Sequence, residues 1–156
     1  MVAKYRFGRS LGMLTMQISR AVGREMVKCL KENGYDMEPS SWSVISLLLS
    51  YPNRTQQEIA DFLWLNKVKV KRLLDGLERD GLVKREIFKN DKRYNVVNLT
   101  VKGETLYHDA VKCADAALAK AFLDFTDKDE EQLIDRLIRI KGNLAEKTYG
   151  FDEIRE

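Results

Sequence analysis

Proline, cysteine and histidine are scarce in this sequence of 156 residues, which contains two Pro, two Cys and one His. Two cysteines are too few for a disulfide-stabilised scaffold, and a chain near 150 residues buries roughly two-thirds of its unfolded surface without such help. The small number of Gly and Pro excludes a collagen-like chain and favours a mostly helical one. We therefore expect one globular domain whose two cysteines are free thiols.

Long apolar runs are also missing. No uninterrupted apolar stretch approaches the roughly 20 residues that a membrane-spanning helix needs. Residues 1–20 contain four basic side chains but no continuous apolar segment, so they do not resemble a secretion signal. The sequence therefore predicts a cytoplasmic protein that does not associate with membranes.

Charge is unevenly distributed along the chain, although the formal net charge is only +3. Residues 64–93 contain ten basic and five acidic side chains, a net charge of +5, whereas residues 124–156 contain six basic and ten acidic ones, a net charge of -4. This pattern favours a polyanion-binding surface in the middle of the chain. The alternative is an ordinary solvated helix surface.

Apolar side chains recur at helical spacing over most of the chain and at a spacing of two over one short region. Gly34 and Gly81 mark helix ends, and Thr55 with Glu58 forms a capping-box pattern. Further caps are expected at Asn66 and Thr100. The predicted helices cover residues 10–33, 39–50, 55–63, 67–80, 100–123 and 126–144, with a β-hairpin formed by residues 82–88 and 94–99.

The fourth predicted helix has two contrasting sides when its residues are placed at 100° intervals. The core-facing side contains Val70, Leu73, Leu74 and Leu77. The opposite side contains Val68, Arg72, Asp75 and Arg79, flanked by Lys69 and Lys71. An apolar Val68 among cations is unusual for a purely solvated surface. A short capped helix, a tight turn, a basic helix and a hairpin together form the winged helix-turn-helix pattern, which suits the grooves of DNA.

Residues 55–106 resemble the MarR (multiple antibiotic resistance regulator) family. The resemblance is carried by the stretch RLLDGLERDGLVKR at residues 72–85, by Asp91 and Arg93 in the hairpin, and by the LTVKG exit at residues 99–103. It implies a mainly α fold with a small β-hairpin wing, in which a winged helix-turn-helix domain at about residues 37–100 lies between dimerisation helices at about residues 8–34 and 101–149.

The resemblance further implies a homodimeric transcriptional regulator that binds a pseudo-palindromic operator in double-stranded DNA, acts as a repressor and works in the cytoplasm at the nucleoid. The residues agree with a dimer independently. The two long terminal amphipathic segments have more apolar surface than a small winged domain can cover, which favours burial against a second copy.

The expected DNA contacts follow from the helical wheel and from the family pattern. We expect Val68, Lys69 and Arg72 to contact base edges, because an apolar group can meet a thymine methyl and Arg can pair with guanine. Asn66, Lys67 and Lys71 would contact phosphates. This helix departs from the family, which commonly has small hydroxyl residues at its start.

The hairpin tip supplies the remaining predicted contacts. By resemblance, Arg93 enters the minor groove and Asp91 holds it by an ion pair, while Lys89 and Lys92 contact phosphates. The alternative is that these are ordinary turn residues.

A small aromatic or phenolic effector is also suggested by the family resemblance. We place it between the dimerisation helices and the winged domain, near residues on the first, second and fifth helices. The expected neighbours are Met13, Met16, Arg20, Trp42, Ile45, Tyr107 and Val111. The alternative is that these side chains are hydrophobic core.

Other chemistry is poorly supported. His108 and Cys113 lack the further ligands that a zinc site needs, and no phosphate-binding loop, nucleophile motif or carboxylate pair is apparent. We therefore expect neither enzymatic activity nor a cofactor. Cys29 lies near the end of the first helix, whereas peroxide-sensing relatives have a cysteine near its start. The alternative to a DNA-binding regulator is a winged-helix protein-interaction module.

Overall fold

The structure is a computed structural model that describes residues 7–89 and 93–144. It is mainly α with one antiparallel hairpin, which confirms the predicted fold class. After a short 3-10 turn the elements are α1 (Leu11–Glu32), α2 (Pro39–Ser50), α3 (Gln56–Phe62), α4 (Lys67–Arg79), β1 (Val83–Ile87), β2 (Asn95–Leu99), α5 (Val101–Ala121) and α6 (Asp127–Leu144).

The helices begin where the predicted caps lie. Thr55 and Glu58 form a reciprocal capping box, in which the Thr55 backbone N–H donates to the Glu58 carboxylate at 2.8 Å. The Asn66 side chain accepts from the Lys69 backbone N–H at 2.8 Å and so opens α4. Thr100 opens α5 in the same manner. These bonds satisfy backbone donors that otherwise have no partner in the first turn of a helix.

One hydrophobic core joins the winged region to the flanking helices. α2 contributes the fully buried Val44, Ile45 and Leu48, and it packs against α1, α4, α5 and β2. Leu30 of α1 and Leu106 of α5 belong to the same core. The orientation of α4 is therefore fixed to that of the long helices.

The hairpin is attached to the rest of the fold at its base. β1 pairs with β2 in a register that runs from Val83 opposite Leu99 to Ile87 opposite Asn95. A Cβ atom added at Gly103 would lie 2.1 Å from the Leu82 carbonyl oxygen. Only glycine therefore allows the first turn of α5 to approach the start of the hairpin this closely.

A disulfide bond joins α1 to α5, so the expectation of two free thiols is wrong. Cys29 and Cys113 are bonded, with their Cα atoms 5.5 Å apart and a sequence separation of 84. The physical reason is the packing of α1 along α5, which brings the two apolar stripes containing these cysteines into contact. Glu25 and Lys120 also form an ion pair across this interface, with 2.9 Å between the carboxylate oxygen and the Lys120 Nζ.

We expect reduction of this disulfide to lower the free energy of unfolding by about 2–4 kcal/mol, because a crosslink across a long loop restricts the unfolded chain. Thermal or urea unfolding with and without dithiothreitol measures the loss. The control is Cys29→Ala, which should show the reduced stability and no further response to dithiothreitol. Equal unfolding midpoints for the oxidised and reduced parent protein would contradict the expected contribution.

Candidate nucleic-acid interface

The α3–turn–α4 segment presents one side of α4 to solvent. Val70, Leu73 and Leu74 of α4 are buried, and α4 packs against α3 and α2. Because a helix that buries one stripe must expose the opposite one, this packing determines which α4 residues can meet a partner. The prediction from the helical wheel is confirmed for these core positions.

The outward side of α4 is positively charged and has an apolar residue in its midst. Val68 is 79% exposed. Lys67 and Arg72 are exposed and Lys69 is half-buried, and within residues 7–89 and 93–144 none of these three cations lies within ion-pair distance of a carboxylate. Lys71 differs, since its Nζ donates to Asp75 at 2.8 Å. The surface therefore offers cations that intramolecular pairing leaves available for an anionic partner.

A set of charged contacts fixes the hairpin relative to α4. The Arg85 guanidinium of β1 donates to Asp75 at 2.7 Å and to the Glu78 carboxylate, both on α4. The Arg85 backbone N–H also donates to Glu78, at 3.2 Å. Hydrogen bonds from Lys71 and then Arg85 hold the pKa of Asp75 below its ordinary value. Planar guanidinium groups suit such paired recognition of carboxylates. We call this arrangement of Arg85, Asp75 and Glu78 the wing clamp.

A second connection holds the hairpin from its other strand. Arg54, in the α2–α3 connection, is largely buried, and its backbone oxygen accepts from the Val97 backbone N–H at 2.8 Å. Its guanidinium lies 3.8 Å from Glu58 and over the Tyr51 ring. The hairpin is thus attached to α4 through β1 and to the α2–α3 connection through β2.

The hairpin tip is exposed where the structure describes it. Lys89 and Arg93 are exposed, and the Arg93 guanidinium lies 5.9 Å from the centroid of the Tyr94 ring. The predicted partners Asp91 and Lys92 lie outside the described residues, so the proposed Asp91–Arg93 ion pair stays a prediction.

Sequence reasoning missed functional roles for two residues near α4. Arg85 belongs to the family-like stretch, but its spacing to Asp75 becomes meaningful only once β1 folds back along α4. Trp64, in the turn between α3 and α4, is 64% exposed and has a positive φ of 54°. The sequence signal was a large aromatic residue at a position that ends a helix, where glycine is usual.

The residues expected around an effector lie on α1, α2 and α5, but the structure of one chain does not bring all of them together. The Cys29–Cys113 disulfide and the Glu25–Lys120 ion pair show that α1 runs antiparallel to α5, so Met13, Met16 and Arg20 lie away from Tyr107. Trp42 and Tyr107 stack on each other with ring centroids 5.1 Å apart. Ile45 is completely buried in the core, whereas Met16 is exposed. The remaining three lie on α1 and α5: Met13 and Val111 are half-buried, and Arg20 is exposed.

A cleft of about 520 Å³ lies elsewhere, between the α1–α2 connection, the C-terminal half of α4 and the start of α5. Its lining includes Arg72, Arg79 and Lys102 together with Asp36 and Glu38. In the part of the chain that the structure describes, no group of three or more His, Cys, Asp or Glu side chains is arranged to hold a metal ion. Nor does any described helix combine the length and the hydropathy needed to cross a membrane.

Comparison with known proteins identifies the winged region. The sequence model described as MarR family matches residues 35–93, which include α2, α3, α4 and β1. This region belongs to the MarR family. The matched residues include the outward cations of α4 and the wing clamp.

Relatives found by sequence and by structure extend over more of the chain than residues 35–93. The Bacillus subtilis protein YkoM, described as an uncharacterized helix-turn-helix transcriptional regulator, is 29% identical over 115 residues, which cover 74% of this chain and 73% of that protein. CouR from Rhodococcus jostii, solved with p-coumaroyl-CoA, is 27% identical, with a TM-score of 0.77 over 88% of this chain and 95% of CouR. S. aureus MepR, solved with DNA, is 21% identical, with a TM-score of 0.75 over 87% of this chain and 97% of MepR.

The wing clamp makes a prediction about the titration of Asp75. Because its folded pKa is lowered, the contacts from Lys71 and Arg85 stabilise the fold above the ordinary aspartate pKa, and this contribution is lost as pH falls through the lowered value. We expect Lys71→Gln and Arg85→Gln each to raise the pKa of Asp75, as measured by NMR titration of its carboxyl carbon.

The matched control is Lys84→Gln. Lys84 pairs with Glu86 at 3.1 Å, and this contact, after the Asn98 hydrogen bond, helps to lower the pKa of Glu86. This variant should raise the pKa of Glu86 and leave that of Asp75 unchanged. An Asp75 titration that does not respond to Arg85→Gln would show that the wing clamp is open in solution.

Proposed function

We propose that this chain is a homodimeric transcriptional repressor that binds a pseudo-palindromic operator in double-stranded DNA. The observation that carries the proposal is the outward side of α4, where Lys67, Lys69 and Arg72 have no carboxylate partner among the described residues. A DNA-binding protein needs such cations to replace the counterions of the phosphates. A protein-interaction module would have no comparable use for them. MepR, which shares the fold, was solved with DNA.

The α4 residues divide into two proposed roles. Val68, Lys69 and Arg72 read base edges in the major groove, and Lys67 and Lys71 contact phosphates. The contact from Lys71 to Asp75 does not oppose this role, because an exposed ion pair is weak and a phosphate can replace the carboxylate.

Asn66 and the hairpin complete the proposed interface. The Asn66 side-chain oxygen is occupied as the cap of α4, which leaves its amide nitrogen for a phosphate. Arg93 enters the minor groove, whose concentrated negative potential attracts an inserted arginine. Asp91 holds Arg93 by an ion pair, and Lys89 and Lys92 contact phosphates. The wing clamp sets the distance from α4 to this tip before DNA arrives, so little ordering is needed on binding.

The dimer is proposed from the apolar surface that one chain leaves exposed. None of the described residues of α6 is buried, although Leu133, Ile134 and Ile138 are large and apolar. Leu11, Leu14 and Ile18 of α1 are exposed as well. Apolar surface on this scale is typical of an interface between subunits, and two copies place two α4 helices for a pseudo-palindromic site.

We also propose that an aromatic or phenolic effector binds beside the Trp42–Tyr107 stack and releases DNA. Half-buried Val111 offers apolar surface one helical turn from Tyr107 on α5. Met13 and Arg20 are not part of this site within one chain, because the Cys29–Cys113 disulfide and the Glu25–Lys120 ion pair place them towards the opposite end of the α1–α5 pair from Tyr107. CouR was solved with p-coumaroyl-CoA, which contains a phenolic group. Such a ligand acts only if it binds the free and DNA-bound forms with different affinities.

DNA binding is tested with a duplex selected by the parent protein from a random pool, alongside an unselected duplex. Arg72→Ala should weaken binding to the selected duplex by about 1–3 kcal/mol and to the unselected one much less, because it removes a base contact. Lys71→Ala should weaken both alike and reduce the dependence of log affinity on log salt by about one unit. Fluorescence anisotropy across a salt series measures these changes.

Arg79→Ala is the control, because Arg79 is an exposed cation at the opposite end of α4 that pairs with Asp80. It should leave both affinities near those of the parent. Failure of the parent protein to enrich any sequence from the pool would contradict a sequence-specific regulator. Equal losses for Arg72→Ala and Lys71→Ala on both duplexes would contradict the assigned roles.

The dimer is tested by sedimentation equilibrium at micromolar concentration, where we expect roughly twice the chain mass. Ile138→Glu places a charge on the exposed apolar side of α6 and should shift the protein towards monomer, since burying an unpaired charge is costly. The control is Arg139→Glu, which changes charge at a neighbouring position outside the apolar stripe. A parent protein that sediments as a monomer would refute the proposed architecture.

A further inference from the structure

Trp64 occupies the left-handed position after a helix that α1 and α4 give to glycine, and it is the bulkiest of the three non-glycine residues with positive φ among those that the structure describes, the others being Asn53 and Asp124. α1 and α4 end with Gly34 at φ 85° and Gly81 at φ 73°, whereas α3 ends with Trp64 at φ 54°. The hydrogen bonds at the end of α3 are those of a Schellman motif, with the Leu65 N–H donating to the Ala60 oxygen at 2.9 Å. The left-handed conformation is unfavourable for a residue with a Cβ atom, so Trp is strained where Gly is not.

The fold gains little in return for this strain. The Trp64 side chain is 64% exposed, so most of its ring lies outside the hydrophobic core. A buried tryptophan can stabilise a protein through its large apolar area, but an exposed one cannot. Stability therefore gives no sufficient reason for tryptophan at this position, and an external contact does.

The charges around Trp64 identify the partner. Residues 62–74 contain four cations, Lys67, Lys69, Lys71 and Arg72, and no acidic residue. Lys71 pairs with Asp75, which leaves Lys67, Lys69 and Arg72 as the cations of this segment that have no carboxylate partner among the described residues. A protein partner that covered Trp64 and the start of α4 would have to accommodate these charges. Nucleic acid complements both properties, because its phosphates attract the cations and its sugars offer an apolar surface.

The position of Trp64 in the helix-turn-helix indicates which part of the DNA it meets. The turn joins α3, which in this motif crosses the DNA backbone, to the start of α4, which enters the major groove. A side chain in the turn therefore lies at the wall of the groove, against sugar and phosphate. Val68, in the first turn of α4, belongs to the helix that enters the groove.

We propose that Trp64 is a backbone anchor for DNA, in which the indole N–H donates to a phosphate oxygen and the ring packs on the adjacent sugar. This inference depends on the proposed DNA-binding function and adds a residue to it. An indole carries no charge, so this contact positions the protein without releasing a counterion and without reading a base. It differs in both respects from Arg72 and Lys71.

The first experiment compares Trp64→Gly and Trp64→Phe with the parent protein on the selected and the unselected duplex. Trp64→Gly should fold with an unchanged or higher melting temperature, because glycine suits a positive φ. It should bind both duplexes about tenfold more weakly, with the salt dependence unchanged. Trp64→Phe keeps a ring and loses the N–H donor, and its loss should be smaller.

Two results separate failure of this inference from failure of the proposed function. Trp64→Gly could bind both duplexes with the affinity of the parent while Arg72→Ala binds the selected duplex more weakly. In that case Trp64 is not a backbone anchor, but the proposed DNA-binding function is still supported. If the parent binds neither duplex, the proposed function itself fails. A loss confined to the selected duplex would also overturn the anchor, because it would show base reading.

The second experiment observes Trp64 directly. Trp42 is the only other tryptophan in the sequence, so Trp42→Phe leaves Trp64 as the sole indole. Its fluorescence should be readily quenched by acrylamide in free protein and protected when the selected duplex is bound. Trp64→Phe, which retains only the stacked Trp42, should show no such protection. Equal quenching of Trp64 with and without DNA would overturn the proposal, as would an indole already shielded before DNA is added.

Discussion

The burial of one side of α4 is the constraint on which the rest of the site depends. Val70, Leu73, Leu74 and Leu77 fill the centre of the core, and they leave α4 no freedom to rotate about its axis. At 100° per residue, a rotation by one position would bury Lys71 and Asp75 and expose Leu73, at a cost far above any gain from the surface. The direction in which the cations point is therefore decided by hydrophobic packing rather than by electrostatics.

Local features of the fold could be predicted because they depend on residues that are close together in the sequence. Ser10, Thr55, Asn66 and Thr100 each cap a helix within three residues of their own position, and glycines with positive φ end α1 and α4. The hairpin could be predicted for the same reason, because its apolar residues change from helical spacing to a spacing of two within a few residues. Such patterns can be recognised from the sequence without any knowledge of the tertiary structure.

Features that join distant segments were not predictable in this way. The disulfide depends on Cys29 and Cys113 facing each other across the α1–α5 interface, and no spacing along the sequence shows that. The wing clamp requires β1 to return along α4, so Arg85 could be recognised only as part of a family-like stretch. Trp64 could be seen in the sequence, but its significance depends on a φ value that only a structure provides.

The close approach of Gly103 to Leu82 has a mechanical consequence. Because the start of α5 touches the base of the hairpin without an intervening side chain, the two elements cannot slide past each other without breaking backbone contact. α5 is 21 residues long, or about 31 Å, so a tilt of about 5° at one end displaces the other by roughly 3 Å. The hairpin and α5 thus behave as one rigid lever. A change in the direction of α5 therefore turns the hairpin through the same angle, together with α4 and the α2–α3 connection to which the hairpin is attached.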